Sequence, residues 1–91
     1  MRHYFPNVSK LGNVAVSRHA QERVVEEGIS DEEFETVLFK GRDTPEGFDV
    51  VWRELNGIRL VILRNPQPFR GALLVKTVFR VQRQAAVQDR S

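Results

Sequence analysis

The sequence contains no cysteine. Disulfides and thiolate metal sites are therefore excluded. Long apolar runs are also missing. No window approaches the roughly 18 apolar residues that a membrane span needs. The opening "MRHYFPNVSK" has no apolar run of the kind a signal peptide uses. The expectation is a soluble cytoplasmic protein with no membrane partner. Histidine is scarce, with only His3 and His19. No carboxylate–histidine spacing resembles a zinc site. Phosphate-binding glycine loops, nucleophile elbows and dinucleotide fingerprints are absent too. No metal and no cofactor are expected.

What remains is a globular balance. Hydrophobic residues make up 41% and charged residues 29% of 91 residues, which suits one small domain. The net charge is only +2, but it is unevenly spread. Residues 22–35 hold seven acidic groups against Arg23, a balance of −6. Residues 53–91 hold eight basic groups against Glu54 and Asp89, a balance of +6. A basic surface of that kind attracts phosphates or an acidic partner.

Residues 1–12 show no period and are expected to form an irregular arm. "NVAVS" (13–17) reads as a short strand. Ser17 is a natural helix N-cap, and the helix from Arg18 to about Glu27 puts Ala20, Val24 and Val25 on one side. Gly28 stops it. "SDEE" (30–33) is a capping box that opens a second helix with an apolar stripe of Phe34, Val37 and Leu38. With two residues between them, the helices are expected to form a tight pair. "GRDTPEG" (41–47) reads as a turn-rich break.

The period then changes to that of strands. "FDVVWREL" (48–55) and "IRLVILR" (58–64) flank Asn56-Gly57, the strongest short hairpin signal. That turn sets Leu55 opposite Ile58, Glu54 opposite Arg59, Arg53 opposite Leu60 and Trp52 opposite Val61. "ALLVKTVFRVQ" (72–82) is a third strand, with an apolar odd face and with Lys76 and Arg80 on its even face. Residues 83–91 read as a frayed tail. The expected fold is α+β in the order β-α-α-β-β-β: a helix hairpin packed on a three-stranded antiparallel meander, with residues 13–82 as the globular core.

His19 and Arg23, four residues apart, are neighbours on the surface of the first helix. An imidazole can move a proton, and an arginine beside it can hold a phosphate. The two are the catalytic candidates for phosphodiester cleavage. The ordinary alternative is that Arg23 pairs with Glu22, Glu26 and Glu27. Lys76 and Arg80 suit two contacts along a nucleic-acid backbone, and Thr77 points away from them. Arg53, Arg64 and Arg70 are further nucleic-acid candidates, Arg70 beside Phe69 on a proline-rich loop. Arg59 is expected to pair across the hairpin with Glu54.

"SRHAQERVVEEGISDEEFETVLFKG", followed by "LLVKTVFRV", resembles the small prokaryotic and phage family called domain of unknown function 4258, over residues 14–81. That family's layout is similar to the RelE-like and barnase-like ribonuclease toxins, which cleave RNA without a metal. The resemblance implies a small RNA-binding protein of the toxin type, with metal-independent endoribonuclease activity centred on His19 and Arg23. The rival expectation is a non-catalytic phage or mobile-element protein. It would bind a partner such as an antitoxin or an inhibited target through protein contacts. A third is a homodimer formed through an exposed sheet edge.

Overall fold

In the computed structural model, which describes residues 1–64 and 71–81, both serine caps are formed. Ser17 Oγ accepts from the Ala20 N–H at 3.0 Å and opens α1 (Arg18–Glu26). Ser30 Oγ accepts from the Glu33 N–H at 3.0 Å, and the Glu33 carboxylate accepts from the Ser30 N–H at 2.9 Å. This reciprocal capping box opens α2 (Asp31–Lys40). Gly28, in the left-handed region at φ 66°, breaks the chain between the helices.

The architecture differs from the expected helix hairpin on a three-stranded meander. Six strands form one mixed sheet that curls into a half-barrel. They are β1 (Tyr4–Val8), β2 (Gly12–Val16), β3 (Arg42–Pro45), β4 (Val50–Leu55), β5 (Ile58–Leu63) and β6 (Leu73–Arg80), in the spatial order β1-β2-β6-β5-β4-β3. The chain order is therefore β-β-α-α-β-β-β-β. The expected irregular arm contains β1, and the expected turn-rich break contains β3. Both are edge strands, so neither needs an apolar face on a strict period of two. Pro6 fits there because an edge strand has one row of N–H groups with no partner. β2 lies parallel to β6, and the rest of the sheet is antiparallel.

The helices pack on the sheet rather than as a pair. α1 lies against β6, and α2 against β4 and β5. One core joins Phe34, Val37 and Leu38 of α2 to Ile58, Leu60 and Ile62 of β5 and to Val75 and Val78 of β6. The sheet curls far enough for Phe5 of β1 to reach α2, with ring centroids 6.1 Å from Phe34 and 6.0 Å from Phe39. Val25, expected on the apolar side of α1, is 79% exposed. Among the described residues no helix is long and apolar enough to cross a membrane.

The Asn56-Gly57 hairpin has the register that its turn dictates, from Leu55 opposite Ile58 to Trp52 opposite Val61. The β6 faces are another correction. Val61 pairs with Thr77 but Ile62 pairs with Val75, so Lys76 is an extra residue, a bulge. A one-residue insertion swaps the faces beyond it. Val75 and Val78, three apart, are both buried, and Arg80 joins the helix side. Thr77 and Phe79 turn to the opposite face, where the Arg59 guanidinium lies 3.8 Å from the Trp52 ring and 5.4 Å from Phe79. Arg59 also pairs with Glu54, its cross-strand neighbour.

Candidate nucleic-acid interface

α1 holds His19 and Arg23 on its exposed side, and among the described residues no hydrogen bond joins them. His19 sits in the first turn, exposed, with no polar partner among the described residues. Arg23 is fully engaged. Its Nη1 donates to Glu26 at 2.7 Å and its Nη2 to Glu27 at 2.8 Å. The Glu26 hydrogen bond raises the Arg23 pKa above its ordinary value, and both glutamate charges add to it. A phosphate on Arg23 would have to compete with two carboxylates already bound to the guanidinium. The pairing with Glu26 and Glu27 is what three nearby glutamates foreshadow.

Glu27 then links Arg23 to Arg80. The Arg80 backbone N–H donates to Glu27 Oε1 at 3.2 Å. The Arg80 side chain donates from Nε to the Glu27 carbonyl at 3.0 Å and from Nη2 to the Gly28 carbonyl at 3.1 Å. It also lies 3.7 Å from Glu33 Oε1. Arg80 thus satisfies the carbonyls at the end of α1 and reaches the start of α2. These bonds give it a structural role.

Arg53 is drawn inward as well. It is 2% exposed, a buried cation held by Asp43, Leu38 and Ser9. It cannot present its guanidinium to a backbone phosphate without abandoning all of these. Arg64 is exposed just past β5, where its N–H donates to the Asp49 carbonyl at 2.8 Å. Arg70 lies outside the described residues.

The structure does tie the backbone at Lys76 to the cap of the helix that carries His19. Ser17 Oγ donates to the Lys76 carbonyl at 3.0 Å, and the Ser17 N–H donates to Val75 O at 3.1 Å. The bulge at Lys76 is therefore fastened to the residue that caps α1. His3 joins the same end, because its carbonyl accepts from the Val16 N–H at 2.8 Å. Arg18 and His19 open α1, the His3 and Lys76 carbonyls are bonded to the two residues just before it, all four side chains are exposed, and the first turn has no acidic residue. The positive end of the helix dipole points the same way. Nothing local in the sequence brings His3 here; strand pairing between β1 and β2 does.

Among the described residues no group of three His, Asp or Glu side chains could hold a metal ion. A hollow of about 690 Å³ runs along Arg42, Thr44, Glu54 and the Asn56-Gly57 turn, and His19 is not part of its lining. No family model matches this chain, and no curated protein or solved structure matches it.

Proposed function

We propose that the chain is a small RNA-binding module whose contact surface is the cationic end of α1. The observation that carries this reading is the Ser17–Lys76 tie at 3.0 Å. It fastens the backbone of a lysine to the cap of a helix that already carries Arg18 and His19. Single-stranded RNA is bound through such backbone-tracking cations, with steep salt dependence. Binding is the activity the arrangement supports best. In the ribonuclease version, His19 is the proton carrier and Lys76 takes the phosphate role once given to Arg23. Single-stranded RNA should bind the parent protein, with affinity falling as salt rises. His19→Ala and Lys76→Gln should each weaken it. A folded parent protein that binds no RNA at low salt would overturn the reading. Cleavage products that vanish in His19→Ala would add catalysis to it.

A further inference from the structure

A second cationic site lies at the opposite end of the β1–β2 hairpin. A hollow of about 420 Å³ opens between the β1–β2 turn, the end of α2 and the start of β3. Its lining includes Lys10, Phe39, Lys40, Arg42, Asp43 and Arg53. Its lining thus holds four cationic residues and one acidic one. That carboxylate is already spent, because Arg53 Nε donates to Asp43 Oδ1 at 2.6 Å and Nη2 to Oδ2 at 2.9 Å. Lys10, Lys40 and Arg42 are exposed and make no ion pair among the described residues.

The three walls are fastened by one buried side chain. Arg53 binds the Ser9 carbonyl at 3.0 Å, the Leu38 carbonyl at 2.5 Å and the Asp43 carboxylate. Lys10 follows Ser9, Lys40 lies two residues after Leu38, and Arg42 precedes Asp43. Each cation is thus one or two residues from a point that Arg53 holds. Like charges gathered on a rigid frame repel one another and have little freedom to separate, which favours an anion between them. Lys40 has an ordinary role at a helix C-terminus. Arg42 stands opposite Glu54 in the β3–β4 register, an ordinary cross-strand position, whereas Lys10 is held at φ 67°, a left-handed conformation unusual for lysine. Phe39, 37% exposed, packs edge-on against Phe5 at 75° and forms part of the same wall.

We propose that this hollow binds a nucleotide, with its phosphate among Lys10, Lys40 and Arg42 and its base against Phe39. Cations and an exposed ring in one hollow suit both halves of that ligand. The nucleotide could be a free molecule or one unit of an RNA strand; the chemistry is the same. The site does not depend on the α1 end.

The test is a titration of the full chain followed by amide NMR shifts, using inorganic phosphate, adenosine, adenosine monophosphate and a short single-stranded RNA. Adenosine monophosphate should bind saturably, move the amides of Lys10, Lys40, Gly41 and Arg42, and bind more tightly than phosphate or adenosine alone. Lys10→Gln and Arg42→Gln should each lower its affinity about tenfold, the loss expected of one charge-assisted contact. Both residues are exposed, so both variants should stay folded. Phe39→Leu should remove the advantage of the nucleotide over phosphate. RNA that displaces the mononucleotide identifies the polymer as a source; a mononucleotide that RNA cannot displace identifies the free molecule. No saturable shift at these amides, or unchanged affinity in both charge variants, overturns the site. RNA that loses affinity on changes at His19 and Lys76 only would leave the proposed function standing and this site refuted. Mononucleotide binding without RNA binding would do the reverse.

Discussion

Arg53 and Asp43 form a two-pronged ion pair in which both carboxylate oxygens are taken, at 2.6 and 2.9 Å, by a guanidinium that is 2% exposed. The register of β3 against β4 puts the two residues directly opposite each other. The pair ties an edge strand to the core and adds bonds to the end of α2 and to the β1–β2 turn. Removing Asp43 leaves the buried Arg53 cation without its counter-charge. Asp43→Leu should therefore cost about 3–5 kcal/mol. That is a large share of the roughly 5–15 kcal/mol that a domain holds. Urea unfolding measures it. Replacing both residues with apolar ones should recover part of the loss, because no uncompensated charge remains. A single variant with the parent's midpoint would show that the pair is not what holds these segments.

Gly41 is the companion of Arg53. Its backbone, at φ −70° and ψ 168°, is open to any residue, so conformation does not demand glycine. Space does. A Cβ would stand 2.6 Å from the Val37 carbonyl oxygen and 2.7 Å from Arg53 Cγ. Gly12 is the opposite case, with φ 78° and nothing within 4 Å. Gly41→Ala should cost about 1–3 kcal/mol through overpacking, and Gly12→Ala about 1 kcal/mol through backbone strain. Thermal unfolding of the two variants should rank them in that order. The reverse order would show that the neighbours of position 41 give way to admit a Cβ.

The parts of the fold legible in the sequence are those set by neighbours in the chain. Ser17 and Ser30 announce their helices because a cap needs only the next three residues. Asn56-Gly57 fixes its hairpin because the turn alone determines the register. β1 and β3 were not legible, since "YFPNV" and "RDTP" have no alternation and become strands only by pairing with a neighbour. The bulge at Lys76 was hidden for the same reason, and it misplaced Arg80. In the candidate site, His19 and Lys76 were legible as exposed polar residues, but their shared location depends on β2 lying beside β6. An arginine in a strand reads as surface, so the burial of Arg53 was invisible until Asp43 arrived from β3.

Arg80 tests that correction. Its two side-chain bonds to the Glu27 and Gly28 carbonyls serve α1, not a ligand. Arg80→Met should lower stability by about 1 kcal/mol, a modest figure because the side chain is 41% exposed to water. RNA affinity should stay near that of the parent protein. A variant of unchanged stability that loses RNA binding would return Arg80 to the interface.

The same logic separates Lys76 from Arg23. Each phosphate that a side chain neutralises on a single strand contributes roughly 0.7 to the slope of log affinity against log salt. Lys76→Gln should therefore weaken RNA binding and make that slope shallower by about that amount. Arg23→Gln also removes one positive charge, but one already matched by Glu26 and Glu27 at 2.7 and 2.8 Å. Losing it uncovers two carboxylates and adds no vacancy for phosphate, so binding should weaken slightly with the slope unchanged. Fluorescence titrations at four or so salt concentrations resolve the two patterns. If Arg23→Gln flattens the slope and Lys76→Gln does not, the contact surface runs along the side of α1 rather than its start. The Ser17–Lys76 tie would then be scaffolding for α1 and nothing more.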